Sequence, residues 1–327
     1  MSGFDYSTTE LLADIKRKAF VPISQITFSD TDLLNMADEE IQSALVPFIM
    51  KAREEYFVTF IDYPIDGTSR VFEMPSRAIA AKLRQVSVLI NPTNDQNQPN
   101  ERRLPEINAE DAVYNNNYNN FLSLQTFFLR ENNVILSPGA ASYAGQILRL
   151  YYFKRPSKLI ETSACAQVTA INGQTAIVSL VPTTFGSGGT LTITADLVKA
   201  TPPFRLYGMD LTVTIDTTTN TATIPLNPHP TEYIPANYGL SVGDYICLAG
   251  EAPIPTLPVE LFSLLAQRVA VKILASLGDS ANFQIATDRL KDMEHNALEL
   301  ISNRVEGSSR KVVNQFTTFN NQPYRRF

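Results

Sequence analysis

Apolar residues recur at helical spacing near the start of the chain. Leu11, Leu12 and Ile15 lie on one face of a segment whose first turn carries Ser7 and Glu10 at the spacing of a capping box. The pattern predicts a first helix here.

A longer helix is predicted from the Ser29/Asp30 cap to about Glu55. Its apolar positions keep the i, i+3, i+4 rhythm through several turns. Pro47 lies inside this run and is expected to kink the helix, because proline lacks an N–H and crowds the preceding turn.

The helical pattern returns after residue 258. A segment from Val259 to the Gly278 stop is apolar around most of its circumference, so it should be buried on more than one side. Asp279 or Ser280 begins a last helix. One apolar stripe is expected on it, formed by Phe283, Ala286, Leu290, Met293, Ala297, Leu300 and Ile301. Helices from both ends of the chain should therefore pack together.

Between Tyr56 and Arg155 the pattern changes to short, β-prone segments separated by polar loops. A hairpin is predicted with its turn at Glu131-Asn132-Asn133. The run from Ser76 to Leu83 has a helix-like pattern in the middle of these strands.

A second β-rich segment extends from about Ser163 to Glu251. Charged residues are scarce in it, and apolar residues alternate with threonine. Asn172-Gly173 between two such runs is a strong signal for a two-residue hairpin. About six strands at regular spacing indicate a small sandwich or barrel, and prolines at both ends suggest an inserted domain.

These patterns predict an α+β protein with an inserted, small all-β domain and an extended C-terminal tail. Residues 1–162 would supply the N-terminal helices and a β-section of the helical core. Residues 163–252 would form the β-domain, and residues 253–307 would complete the core. Residues 308–327 would form the tail.

Composition narrows the class of protein. The chain is 44% hydrophobic and 18% charged, enough for packed cores. Its formal net charge of −6 argues against a protein that coats nucleic acid over its whole surface. Two cysteines are too few for a secreted disulfide framework, and neither a signal peptide nor a membrane span is expected. The sequence favours a soluble protein made in a reducing cytosol.

Candidate catalytic groups are few. His229 and His295 have no cysteine or second histidine at metal-ligand spacing. Cys165 and Cys247 flank the inserted domain and could be spatial neighbours there; two buried free thiols are favoured over a redox pair. No nucleophile–base pair can be named, so we expect no enzyme activity, cofactor or metal site.

The segment Ser308–Phe327 is basic and aromatic within an acidic protein. Its aromatic residues lack helical spacing, so the segment cannot bury them against itself. We expect it to dock in extended form on another protein, and the alternative is a disordered end. The docking residues would be Arg310, Lys311, Phe316, Phe319, Tyr324, Arg325, Arg326 and Phe327.

Two smaller groups of basic residues precede the inserted domain. A solvated face or salt bridges between subunits are favoured as their role, and contact with DNA in a ring lumen is the other possibility. The residues are Arg77, Lys82, Arg84, Arg102 and Arg103.

Several stretches with helical patterns resemble, in their order along the chain, those of a known protein family. They are TTELLADIKRKAF, SDTDLLNMADEEIQSALVPFIMKAREEY, EMPSRAIAAKLRQV, VELFSLLAQRVAVKILASLGD and NFQIATDRLKDMEHNALELI, followed by the aromatic-basic tail. Their layout resembles that of the head–tail connector proteins (portal adaptors, or head-completion proteins) of tailed bacteriophages, especially short-tailed ones. The inserted β-domain departs from the minimal helical adaptor of that family.

The resemblance implies a structural virion protein at the head–tail junction, assembled in the bacterial host cytoplasm. It implies a homo-oligomeric ring, typically a dodecamer, below the portal protein and beside further tail or ring proteins. C-terminal tails would extend along the portal wall. DNA would pass through the bore during packaging and ejection, without sequence-specific binding and without contact with a membrane.

Two other classes of function remain open. A tail-associated receptor- or carbohydrate-binding protein would use the threonine-rich β-domain as its binding module. A hydrolase with an unrecognised site is the other, and two isolated histidines make it the weaker alternative.

Overall fold

The computed structural model describes residues 6–19, 28–90, 100–111, 125–204, 206, 208–227 and 237–302. In these residues the chain is a mixed α and β protein with a helical core, a sandwich of two sheets and a closed barrel. This confirms the predicted combination of an α+β protein with an all-β domain. The predicted docking tail and His229 lie outside the described residues.

Five α-helices lie wholly within the described residues, and three of them begin at capping signals in the sequence. The Ser7 side chain accepts a hydrogen bond from the Glu10 N–H, and Ser29 forms a capping box with Asp32. Asp279 caps the last helix. The helices are α1 (Thr8–Lys18), α2 (Asp30–Glu40), α3 (Val46–Arg53), α4 (Phe262–Leu277) and α5 (Ser280–Ile301).

Helices from both ends of the chain share one hydrophobic core, as predicted. Helix α4 contacts α1, α2 and α5 and is buried on more than one side. The predicted stripe on α5 is confirmed at Ala286, Ala297 and Ile301, which are buried. It is wrong for Leu300, which is 68% exposed. Ile301 takes the inward position, and successive helical residues point about 100° apart.

Pro47 coincides with a change of helix type. Residues Ile41–Leu45 form a π-helical turn between α2 and α3, in which the Val46 N–H donates to the Ile41 carbonyl. Pro47 then lies in the first turn of α3. Because proline cannot donate to the preceding turn, the wider π-turn accommodates it within a continuous helical segment.

The chain between α3 and the barrel forms two antiparallel sheets. Their strands are β1 (Val58–Pro64), β2 (Val71–Glu73), β3 (Ala78–Ile90), β4 (Asn100–Arg103), β5 (Thr126–Arg130), β6 (Asn133–Ser137) and β7 (Ile147–Lys154). One sheet has the order β1-β7-β3-β4 and the other the order β2-β6-β5. Val86, Leu148 and Leu150 of the first sheet pack with Phe127 and Leu136 of the second in a shared core. The predicted hairpin joins β5 to β6.

The predicted helix-like patch from Ser76 to Leu83 is wrong. From Ala78 onward this segment belongs to β3 and pairs with β7. Ala80 and Ala81 have φ angles of 50° and 52°, and the pairing register shifts across them. Pairing with a buried neighbouring strand has therefore overridden the helix propensity of the alanines.

The remaining strands form the inserted domain and its connections. They are β8 (Lys158–Leu159), β9 (Ala166–Asn172), β10 (Thr175–Val178), β11 (Thr190–Val198), β12 (Gly208–Asp216), β13 (Thr221–Thr223), β14 (Tyr245–Leu248) and β15 (Glu251–Ala252). Six of these described strands close into a barrel with the order β10-β13-β12-β11-β14-β9. The barrel alternative is thus confirmed over the sandwich. The predicted two-residue hairpin joins β9 to β10, with Gly173 at φ +63° in its turn.

The two connections of the barrel pair with each other. Strands β8 and β15 are parallel neighbours and form a short neck. The Thr8 N–H donates to the Pro253 carbonyl and the Thr8 hydroxyl donates to the Ile160 carbonyl, both at 2.8 Å. The neck is therefore hydrogen-bonded to the start of α1.

A further apolar cluster, here called the joint, lies where the barrel meets the rest of the molecule. Tyr6 makes edge contacts there with Phe204 of the inserted domain and Phe262 of α4, at ring-centroid distances of 5.3 and 5.4 Å. The buried members of the joint are Cys165, Val198, Phe204, Leu206, Cys247, Ala252 and Ile254. The barrel is consequently packed against the core rather than suspended from a linker.

Candidate functional site

An open groove of about 510 Å³ lies on the β1-β7-β3-β4 sheet. It brings together two of the basic residues named from the sequence, Arg84 of β3 and Arg103 of β4. The groove is lined by Val58, Arg84, Gln85, Glu101, Arg103 and Tyr151. Because β3 pairs with both β4 and β7, side chains distant in sequence meet on this face.

Glu101 is held in place at the groove. The Tyr151 hydroxyl donates to Glu101 Oε2 at 3.0 Å, and Gln85 Nε2 approaches Glu101 Oε1 at 3.4 Å. Gln85 also donates to the Ser87 hydroxyl at 2.7 Å. Burial raises the pKa of the Tyr151 phenol, so it remains a donor at neutral pH. Glu101 thus gives the groove an acidic group that two neighbouring side chains hold in place.

A second charge pair lies beside the groove on the same sheet. Arg149 donates to both oxygens of Asp62, at 2.8 and 2.7 Å, and its guanidinium lies 4.0 Å from the centre of the Phe60 ring. Phe60 in turn lies 5.9 Å from the Tyr151 ring. The bidentate Arg149–Asp62 pair and the packing of Arg149 on Phe60 hold in place the side chains that surround Tyr151.

The arginines of the groove remain available to a partner. Arg84 is 43% exposed and lies 3.6 Å from Glu54, which is itself 52% exposed, so this ion pair is weak. Arg103 is exposed, and within the described part of the chain no carboxylate lies within ion-pair distance of it. A groove lined by two arginines, a fixed glutamate and a tyrosine is suited to bind the polar surface of another macromolecule.

Lys82 and Arg102, also named from the sequence, are exposed outside the groove lining. The Lys82 ammonium lies 5.1 Å from the centre of the Phe153 ring. Arg102 donates to the Gln125 side chain at 3.3 Å. Neither contact neutralises the charge, so both residues add to the basic character of this region.

Arg77 departs from the expectation of a surface cation. Its guanidinium donates to both oxygens of Asp196 in β11, at 2.9 and 2.5 Å, and Asp196 is fully buried. Asp196 also accepts from the backbone N–H groups of Asp210 and Gly250. Arg77 therefore connects the sheet sandwich to the barrel, and its charge is neutralised within the molecule.

Lys154 lies near this ion pair. Its pKa is lowered to about 8, mainly by desolvation and also by the positive charge of Arg77, while the charge of Asp196 opposes this shift. An unpaired charge in the region between sandwich and barrel would therefore destabilise the fold. This explains why the buried Asp196 carboxylate accepts hydrogen bonds from Arg77 and from two backbone N–H groups.

The two cysteines are spatial neighbours, as the sequence analysis allowed. Both are buried and free, and their sulfur atoms lie 2.7 Å apart in the joint. Burial raises the pKa of the Cys247 thiol well above its usual value. Of the histidines, His295 is exposed on α5, where its nearest acidic group is Glu299 at 3.8 Å.

Within the described residues no group of three or more histidine, cysteine, aspartate or glutamate side chains is placed to hold a metal ion. None of the described helices is both long and apolar enough to span a bilayer. The predicted docking residues from Arg310 to Phe327 all lie outside the described residues.

Sequence reasoning missed several residues that organise these surfaces. Glu101 and Tyr151 escaped notice because their proximity depends on strand register, which a single sequence does not display. Asp196 had a detectable signal, since it is an isolated carboxylate within the alternating segment TLTITADLV. A lone charge in a charge-poor strand indicates a buried partner.

The chain has no match among protein-family models, and the search of curated proteins also gives none.

Proposed function

We propose that this chain is a structural subunit of the ring that connects the portal to the tail of a bacteriophage. The observation that carries the proposal is the union of both chain ends in one helical core. Helices α1 and α2 pack on α4, and α5 completes this core directly before the aromatic and basic segment Ser308–Phe327. That layout is the one in which the sequence resembles connector proteins.

The surface properties of the subunit support assembly in a ring. A closed ring uses two different, complementary faces of each subunit. The groove region exposes basic side chains, whereas α5 exposes Asp288, Asp292 and Glu299. Ile285 and Leu300 of α5 are also 65% and 68% exposed. We propose that this helix face, which exposes acidic and apolar side chains, contacts the basic groove region of a neighbouring subunit.

The first experiment measures assembly directly. The purified chain should form a closed ring with the portal protein of the same bacteriophage, seen by negative-stain electron microscopy and by mass from light scattering. A chain that remains monomeric with the portal present, and does not co-sediment with it, would contradict the connector proposal.

The role of the groove is tested by charge reversal. Arg84→Glu with Arg103→Glu should prevent ring closure if the groove contacts a neighbouring subunit. If it faces the lumen, rings should form but retain packaged DNA poorly, and the difference from the natural chain should shrink at high salt, which screens these charges. Arg130→Glu is the matched control, because Arg130 is exposed in the β5–β6 hairpin of the other sheet.

The tail is proposed to dock on the portal. Deletion of residues 308–327 should abolish attachment to the portal and leave the thermal melt nearly unchanged. Alanine at Phe316, Phe319, Tyr324 and Phe327 should weaken attachment more than alanine at Arg325 and Arg326, especially at high salt. Full attachment of the truncated chain would contradict this part of the proposal.

The receptor- or carbohydrate-binding alternative is less well supported. Sugar recognition commonly uses exposed aromatic rings, yet Phe185, Phe204 and Tyr238 of the inserted domain are buried. Binding of the isolated chain to host-surface glycans at micromolar concentration would reverse this preference.

A further inference from the structure

Cys165 and Cys247 are in contact although they are separated by 82 positions in the chain. Their sulfur atoms lie 2.7 Å apart, and the two residues are 6% and 0% exposed. They are also the two cysteines of the whole sequence. The barrel fold, rather than local sequence, brings the thiols together.

The strand register places the two cysteines directly opposite each other. Strand β14 pairs with β9 through Tyr245↔Gln167 and Ile246↔Ala166, and one further step sets Cys247 opposite Cys165. Two pairs before Ile246↔Ala166 in this ladder, Val168 lies opposite Asp244, and the Val168 N–H donates to the Asp244 carbonyl. Hydrogen-bonded and non-hydrogen-bonded pairs alternate, so the cysteines form a non-hydrogen-bonded pair.

This position is compatible with a covalent bridge. Opposite residues in non-hydrogen-bonded pairs have Cα atoms about 4.5 Å apart. Protein disulfides usually join Cα atoms about 4.4–6.8 Å apart. The Cα separation typical of such a pair therefore lies within the range that a disulfide can span.

We propose that Cys165 and Cys247 form a modification site in which oxidation by a small-molecule disulfide joins the first strand of the barrel to its last. The proposal holds whether or not the chain is a connector subunit. The Cys165 thiolate attacks one sulfur of oxidised glutathione, whose S–S bond breaks and releases one glutathione thiolate. The Cys247 thiolate then attacks the Cys165 sulfur and displaces the second glutathione.

The balance of the reaction is complete. The two protein thiols lose two protons and two electrons, and oxidised glutathione takes them up to become two glutathione molecules. Cys165 is assigned the first step because it retains some exposure, whereas Cys247 has none. The resolving thiol is thus already in place when the mixed disulfide forms.

The environment of the pair determines when this reaction occurs. Both thiols lie among Val198, Phe204 and Ala252 in the joint, and burial keeps the Cys247 thiol protonated. Oxidation should therefore be slow in the closed molecule and faster under conditions that open the joint. The resulting bridge would span the whole barrel and restrict the unfolded chain, which stabilises the folded one.

The test uses the reduced full-length chain incubated with excess oxidised glutathione, then denatured and alkylated for mass spectrometry. We expect loss of both alkylation sites and an intramolecular Cys165–Cys247 peptide. The melting midpoint should rise by about 5 °C and return on treatment with a dithiol reductant. Cys247→Ser should retain one glutathionyl group on Cys165, and Cys165→Ser should remain largely unmodified over the same time.

The double variant Cys165→Ser/Cys247→Ser is the matched control, and oxidant should leave its midpoint unchanged. The proposal would be overturned if both thiols of the natural chain can still be alkylated after incubation with oxidised glutathione at temperatures that open the joint. A product dominated by intermolecular dimers, or a cross-linked chain that melts below the reduced one, would also overturn it. The measurements on the natural chain decide the matter even if a variant fails to fold.

Discussion

Arg77 and Asp196 form the buried ion pair between the sandwich and the barrel. Replacing Arg77 by methionine leaves the Asp196 carboxylate buried, with only the N–H groups of Asp210 and Gly250 as donors. Because an unpaired buried charge is costly, we expect the free energy of unfolding to fall by about 3 kcal/mol. Chemical denaturation followed by circular dichroism measures this loss.

Arg84→Met is the control for that prediction. It removes the same charge from an ion pair with Glu54 that is about half exposed, so the expected loss is about 0–1 kcal/mol. The double variant Arg77→Met/Asp196→Asn should recover part of the loss, since it removes both buried charges. Equal losses for Arg77→Met and Arg84→Met would contradict the assignment of a buried pair.

Asp38 is the residue whose titration should be visible in stability. Its carboxylate accepts from the Leu159 N–H at 2.9 and 3.1 Å, and burial raises its pKa from 3.8 to about 6. The folded chain therefore takes up this proton at higher pH than the unfolded chain. The resulting stabilisation is complete below pH 3.8 and is lost as pH rises through 6.

Asp38→Asn should remove this component of the pH dependence while keeping an acceptor for Leu159. Between about pH 4 and pH 7, the natural chain should lose on the order of 1 kcal/mol more stability than the variant, after allowance for solvent screening. Urea titrations at several pH values measure it. Asp292→Asn, at an exposed carboxylate on α5, is the matched control.

At the scale of elements, strand β3 contains a local conflict. Ala80 and Ala81 have positive φ angles, which cost L-residues about 1 kcal/mol or more and cost glycine little. Ala80→Gly or Ala81→Gly should therefore maintain or raise the free energy of unfolding, by up to about 1 kcal/mol each. Ala78→Gly, at a buried position paired with Lys154, should instead lower it by about 1 kcal/mol. A loss of the same size at all three positions, in thermal or chemical unfolding, would contradict this assignment.

The same strand shows where sequence patterns fail. Periodicity predicted the helical segments that contain α1 to α5 and a small β-domain, either sandwich or barrel, because their apolar faces repeat within a few residues. It misread Ser76–Leu83, since alanine, lysine and leucine favour a helix locally. The deciding interaction is pairing with β7, about 70 positions later in the chain. Such long-range pairing leaves no periodic signature.

The candidate site follows the same rule. Individual basic residues such as Arg84 and Arg103 could be named from the sequence, and the structure places both in one groove. Their fixed companion Glu101 could not be named, because its contact with Tyr151 depends on strands 50 positions apart. Arg77 had the same sequence signal as Arg84 but has a buried partner in another domain. Residue type therefore identified candidates, and only the fold separated the exposed from the buried ones.

At the scale of the whole molecule, the barrel has one hydrophobic core of its own and shares another. Ile215 and Ile246 belong to its interior, whereas Phe204 and Val198 lie in the joint that includes Tyr6. Because the barrel has this closed interior, we expect the inserted domain to fold independently. The shared joint should make the domain more stable within the full chain than alone, because separation exposes apolar surface.

A fragment from Thr162 to Ala252 should accordingly show a cooperative β-type melt with a midpoint below that of the full chain. Asp196→Asn distinguishes this interpretation from a general instability of the fragment. In the full chain the substitution leaves Arg77 without its carboxylate and should destabilise, whereas the fragment lacks Arg77 and should be unchanged or more stable. Far-UV circular dichroism melts of the four proteins test both statements. A fragment without a cooperative transition would show that the barrel depends on the joint to fold. Destabilisation of the fragment by Asp196→Asn would show that the barrel alone stabilises the Asp196 carboxylate, without Arg77.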